Sequence, residues 1–241
     1  MKLTRYESRS ALLMRPVRVA SVADLHNGRY EKVLALLSEA NPDFVAVPGD
    51  FADTPNRRER GVAFLTDCAR RFPTFVSLGN HEAKSDLPTL LPLLAKTGAE
   101  LLDNRAVRFG ELTVGGLTTG WAHGEKQNRG KTPAPNLTFL AEFAALPAPR
   151  LLLCHHPEYY PRYIKDTSVE WVLAGHAHGG QWCFFGHGIF APGQGILPRY
   201  HAGFYDGRMA LSRGLCTTHR FIPRLFNPRE IVLLDLLPTE E

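Results

Sequence analysis

Asp24-Leu25-His26, Gly49-Asp50, Gly79-Asn80-His81-Glu82, His155-His156 and Gly175-His176-Ala177-His178-Gly179 each follow a short apolar run of this 241-residue chain. Imidazole nitrogens and carboxylate oxygens together suit borderline divalent ions such as Mn, Fe, Zn, Co or Ni. The absence of thiolates argues against a structural zinc site, and the histidines argue against an all-oxygen magnesium or calcium cage. With four histidines and only two carboxylates as ligands, two ions would stay net positive, as an anionic phosphate requires. Two ions about 3.5–4 Å apart lower the pKa of bound water, bridge a nucleophile and clamp phosphoryl oxygens. Taken singly, an Asp after a strand is ordinarily a turn former and a His a satisfied polar group. Five such pieces at five strand ends read as one site.

The elements that must position them alternate. Strands are expected over 17–23, 43–47 and 74–78, with helices over 30–40 and roughly 56–71 between them. Asn41-Pro42 ends the first helix. A helix over 86–96 accepts Pro88 in its first turn, while Pro92 is an awkward fit inside it. Two short strands around a turn fill 106–117, a helix 137–145, and strands 150–154, 169–174, 208–212 and 230–236. This is an α/β pattern with mainly parallel pairing and some antiparallel pieces, in a mixed sheet or two packed sheets. No Pro-, Gly- and Ser-rich linker divides it, so a single domain over 1–241 is expected. Ligands of open α/β sheets bind beyond the carboxyl ends of the strands, where the five pieces fall. Gly49, Gly79 and Gly175 suit sharp exits because glycine tolerates backbone angles that other residues resist.

Composition narrows the class. The chain is 44% hydrophobic and 22% charged with a net charge of +4, which describes an ordinary globular protein and not a nucleic-acid binder with a basic stripe. Arg57-Arg58 and Arg70-Arg71 are expected on the solvated face of a helix. Cys68, Cys154, Cys183 and Cys216 form no CxxC pair, so a reducing cytoplasm fits best. The N-terminal stretch lacks the apolar run of a signal peptide, and no segment reaches the 20 or so apolar residues of a membrane span. No stable membrane anchor and no nucleic-acid partner are expected.

The blocks D-x-H, G-D, G-N-H-[DE], H and G-H-x-H occur here in order, and in this the chain resembles the calcineurin-like metallophosphoesterase superfamily. The resemblance runs from about Val17 to the C-terminal strand. It implies a four-layer αββα sandwich with two mixed sheets. It further implies that Asp24, His26 and His178 hold one divalent ion, that Asn80, His155 and His176 hold a second, and that Asp50 bridges them, with manganese favoured. His81 corresponds to the family's catalytic histidine, stabilising the transition state or protonating the leaving alkoxide. His155 is the expected ligand of its pair, His156 a neighbour lining the substrate pocket, and Asp53 a support for the loop. Pro192-Gly193-Gln194-Gly195, Leu197-Pro198-Arg199-Tyr200, Ser212-Arg213-Gly214-Leu215 and Pro228-Arg229-Glu230 resemble the bacterial phosphodiesterase branch typified by YaeI and YkuE. Relatives there often carry an N-terminal anchor or export signal, from which this sequence departs.

The expected activity is hydrolysis of a small phosphodiester or phosphomonoester. The alternatives are a pyrophosphatase acting on a nucleotide-sugar lipid of the UDP-diacylglucosamine type, or a non-catalytic binding scaffold of the same fold. His123, with Lys126, Arg129 and Lys131, lies in a loop read first as solvated; His187, His201 and His219 are read as structural.

Overall fold

In the computed structural model, residues 1–53, 57–123, 132–216, 218–219 and 222–239 are described. The first half runs β1 (Lys2–Ser10), β2 (Val17–Ser21), α1 (Glu31–Ala40), β3 (Phe44–Val47), α2 (Glu59–Ala69), β4 (Thr74–Val76), α3 (Asn80–Ala83), α4 (Leu87–Leu94) and β5 (Glu100–Leu101). The second begins with β6 (Arg105–Phe109), β7 (Leu112–Leu117), α5 (Leu137–Ala145), β8 (Arg150–Cys154) and β9 (Trp171–Ala174). Two ribbons follow, β10 (Cys183–Phe184) with β11 (His187–Gly188) and β12 (Phe190–Ala191) with β13 (Gly195–Ile196). Then come β14 (Gly203–Tyr205), β15 (Met209–Leu211), a third ribbon of β16 (Thr218–His219) and β17 (Ile222–Pro223), and β18 (Glu230–Pro238).

Two six-stranded mixed sheets result, in the orders β1-β18-β2-β3-β4-β5 and β14-β15-β9-β8-β7-β6. β2 to β5 are parallel, as are β7, β8, β9 and β15; β18 against β2, β6 against β7 and β14 against β15 are antiparallel. The inner strands read as unbroken apolar runs because both faces are covered. Their period of two divides each run: Phe44 and Ala46 join Leu151, Leu153, Trp171 and Leu173 in the core between the sheets. Val45 and Val47 face outward, under Val33, Leu37, Phe64 and Leu65 from α1 and α2. On the far side, Leu152 and Cys154 pack with Phe139, Leu140 and Phe143 of α5. Helix, sheet, sheet, helix is the expected αββα sandwich.

Several boundaries differ from the sequence expectation. β1 reads as no strand in the sequence, yet it pairs in parallel with β18 over nine residues, Lys2 with Glu230 through Ser10 with Pro238. Its residues alternate between exposed and half-buried, as befits a charged edge strand. Arg57-Arg58 and Arg70-Arg71 flank α2 instead of lying within it. Arg57 pairs with Asp53 at 2.9 Å, and the exposed Arg70 lies 3.6 Å from Asp67. Pro92 does lie inside α4, which is eight residues long. No helix among the described residues is long and apolar enough to cross a membrane.

Candidate metal centre

The carboxyl ends of β2, β3 and β4 in one sheet and of β8 and β9 in the other meet at a single edge, and each strand hands its loop a polar side chain there. Five of these residues are held in the left-handed backbone region: Asp24 (φ 54°), His26 (47°), Asp50 (52°), His176 (69°) and His178 (48°). Non-glycine residues there cost about 1–3 kcal/mol each when strained, and such positions cluster at functional sites. The loops are crowded, so the glycines do not all serve the sharp exit angles expected of them. Gly49 has φ of 117° and uses glycine's angular freedom. Gly79 and Gly175 are needed for closeness: a Cβ would fall 2.2 Å from Asp50 Oδ1 at the first and 2.7 Å from Asp24 Oδ2 at the second.

Side chains from both sheets converge on Asp50. Its Oδ2 lies 3.1 Å from His155 Nε2, 3.7 Å from His26 Nε2 and 4.0 Å from His81 Nε2. Its Oδ1 accepts the backbone N–H of His81 at 2.9 Å. Asp24, fully buried, accepts the backbone N–H of His176 at 3.0 and 3.1 Å and lies 4.0 Å from His26 Nε2 and 3.8 Å from His178 Nε2. Asn80 Oδ1 sits 3.2 Å from His155 Nε2, and the His155 and His176 rings are 5.0 Å apart. All seven expected ligands and His81 are therefore in one basin. Among the described residues five groups have donor atoms within 4.8 Å of one another, and two of them, Asp24-His26-Asp50 and Asp50-His155-His176, share Asp50.

The protonation pattern follows from buried acids and imidazoles packed against one another. Burial alone would discharge Asp50, but His155, His81 and His26 outweigh it and hold its carboxyl well below the usual range. Burial likewise opposes charge on His155, yet Asp50, Asp24 and Glu82 raise it to about 9. His176 and His178 are pushed well below the ordinary imidazole value, by burial and then by neighbouring cationic groups. Asp24 is raised by burial. A protonated His155 is thus the nearest cation available to Asp50. His26 Nε2 is buried with no hydrogen-bond partner, and Asp50 Oδ2 has imidazole neighbours but no well-aligned hydrogen bond, an arrangement that divalent cations would satisfy. The donors fit the ions the family implies.

Around the expected ligands stand residues whose roles the sequence did not disclose. Glu82 is fully buried; Oε2 accepts the N–H of Asp50 at 2.8 Å and of Gly79 at 2.9 Å, and Oε1 that of Ala52 at 2.8 Å. Its place at the third position of a short helix after Gly79 was the available signal, because a Glu there caps backbone donors. Asp53 contacts both candidate-site imidazoles as expected of a support: its carbonyl lies 2.6 Å from His81 Nδ1, and its carboxylate 3.7 Å from His26 Nδ1. His156 is fully buried, its Nε2 2.9 Å from Thr119 Oγ1 and its Nδ1 3.5 Å from Glu158 Oε1, so its ring lies beneath the basin and packs 4.3 Å from that of His176. Lys126, Arg129 and Lys131 lie outside the described residues, as do the side chains of His123 and His219.

A two-sheet αββα sandwich carrying an Asp, Asn and His cluster at its strand exits is the architecture of a metallophosphoesterase. The family model described as Calcineurin-like phosphoesterase matches residues 17–180, and the chain belongs to that family. The uncharacterized metallophosphoesterase Cj0846 of Campylobacter jejuni is 29% identical over 244 residues, covering 93% of this chain and 60% of that protein. Phosphodiesterase YaeI of Escherichia coli K12 is 28% identical over 183 residues, covering 69% of this chain and 62% of YaeI. The chain thus spans about three fifths of the length of these curated relatives. Among solved structures, the NAD nucleotidase of Haemophilus influenzae shares the fold with a TM-score of 0.50 at 14% identity, over 68% of this chain and 38% of that one.

Proposed function

We propose that this protein is a dinuclear metal-dependent phosphoesterase acting on small phosphodiesters or phosphomonoesters. The observation that carries the reading is that buried Asp50 is shared by the Asp24-His26-Asp50 and Asp50-His155-His176 donor groups, its Oδ2 ringed by the imidazoles of His155, His26 and His81. Asp24, His26 and His178 would hold one ion, Asn80, His155 and His176 the other, with Asp50 between them. Two such ions activate water and neutralise phosphoryl charge. The chain's own contribution is to orient and to move a proton. The Asp53 carbonyl takes the Nδ1–H of His81, leaving Nε2 on the Asp50 side to meet the leaving oxygen. Manganese as the ion and a cytoplasmic location belong to the same proposal. The location rests on Cys68, Cys154 and Cys183 being buried thiols outside any disulfide.

A substrate panel on metal-reconstituted protein tests this: bis-aryl phosphodiesters, aryl monoesters, cyclic nucleotides and nucleotide-sugar lipids. Absence of hydrolysis with every ion would leave the binding scaffold as the better reading. The nucleotide-sugar-lipid pyrophosphatase alternative has one observation in its favour. Phe185 is fully exposed, and Phe226, Ile196 and Leu197 are 77%, 78% and 68% exposed, on the segments following β9. Asn227 ties that region to the centre by donating to the His178 carbonyl at 2.7 Å. Such an apolar rim suits an acyl chain beside a phosphate. Cleavage of the lipid substrate in preference to every water-soluble ester would select it.

A further inference from the structure

The segment after β15 lies directly on the Asp24 loop. The backbone N–H of Leu215 donates to the carbonyls of Ala23 at 3.1 Å and Asp24 at 3.2 Å. Gly214, with φ of 71°, approaches so closely that a Cβ would stand 2.6 Å from Asp24 Oδ2. This docking delivers the next residue, Cys216, to the site: its sulfur and one ring nitrogen each from His26 and His178 lie within 4.8 Å of one another. The side chain of His26 is 8% exposed, and its Nε2 has no hydrogen-bond partner. The other cysteines are placed elsewhere. Cys68 accepts from Thr74 at 3.5 Å, Cys154 contacts the His156 carbonyl at 3.6 Å, and Cys183 lies 3.9 Å from Arg213 Nη1.

We infer that Cys216 supplies a sulfur ligand to the ion held by Asp24, His26 and His178. The inference rests on the dinuclear reading above and sharpens it at one ion. Binding displaces the thiol proton to solvent and forms the metal–sulfur bond. A soft thiolate biases that position toward zinc or iron and away from manganese, which prefers oxygen donors. The two positions then differ in metal preference, and the sulfur-bearing one responds to thiol oxidants.

Cobalt(II) reconstitution of the full chain, with metal stoichiometry measured on the same sample, tests this. The expected result is two ions per chain with a sulfur-to-cobalt charge-transfer absorption in the near ultraviolet, lost in Cys216→Ser and kept in Cys183→Ser. X-ray absorption of the zinc-loaded protein should show a sulfur shell near 2.3 Å, absent from Cys216→Ser. Two bound ions without a sulfur signal, or a signal that survives Cys216→Ser, overturns the assignment and leaves the dinuclear reading standing. Fewer than two ions bound overturns the dinuclear reading itself, and this assignment with it.

Discussion

Glu82 and Asp50 are two buried carboxylates joined by a backbone hydrogen bond: Glu82 Oε2 accepts the N–H of Asp50 at 2.8 Å. The same side chain also binds the N–H groups of Gly79 and Ala52, so it locks the β3 and β4 exits together. In Glu82→Gln, the amide NH2 must face at least one of those donors. A stability loss of about 1–3 kcal/mol follows, or roughly 2–4 °C in melting temperature per kcal/mol for a chain of this size. Metal affinity should fall about 10–100-fold, the usual effect of disturbing a group that orients ligands. Thermal melts and metal titration of the variant check both. Wild-type affinity in the variant would show that the clamp does not position Asp50.

Asp50 is the single carboxylate shared by both donor groups. Asp50→Asn keeps its shape and removes the charge that His155, His26 and His81 surround. Binding of at least one ion should weaken by more than about 100-fold, exceeding the effect of a supporting residue. Activity should fall with it. Isothermal titration with manganese or zinc separates the two steps, and two undisturbed binding events would remove Asp50 from the bridging role.

His81 makes a contrasting prediction. Its ring is 30% exposed and anchored through Nδ1 to the Asp53 carbonyl, and its expected role is not that of a ligand. His81→Ala should lower kcat by about 10²–10⁴-fold, the range for a lost general acid, with metal content nearly unchanged. The effect should shrink on esters whose leaving group needs no proton, such as nitrophenolate. An equal loss on activated and unactivated esters would mean that the ring positions substrate instead.

That the expected residues would converge was legible in the sequence because each sits within a few positions of a strand whose apolar run is itself readable. β8 and α5 begin and end where the pattern places them, at Arg150–Cys154 and Leu137–Ala145. What escaped depends on contacts distant in sequence. β1 is specified by pairing with β18 more than two hundred residues away, and its exposed charged positions mask a strand pattern. Arg57-Arg58 fell outside α2 because Asn27, from the β2 loop, accepts the N–H groups of Arg60 and Gly61 and sets the helix start from outside. Glu82 was visible as a letter of its motif, but two of its three backbone donors, Asp50 and Ala52, come from the β3 exit. Cys216 reaches the basin only because Gly214 and Leu215 pack on Asp24.

The metal-free protein should be most stable near pH 6.5 and lose stability toward pH 9. Glu82 is raised to about 7, by burial and then by Asp50, so its contribution is complete below its ordinary value of 4.5 and is lost as pH rises through about 7. His155, raised to about 9, contributes fully below 6.5 and loses that contribution as pH rises through about 9. In the other direction, His176 and His178 are held neutral, so their share is present above 6.5 and is lost as pH falls toward their depressed values. Bound ions replace protons as the partners of these groups, so loading should flatten the alkaline slope and raise the melting temperature throughout. Melting curves of chelator-treated and metal-loaded protein between pH 6 and about 9 test this. If the metal-free protein is no less stable at pH 9 than at 6.5, protonated His155 is not what holds Asp50 in place without metal.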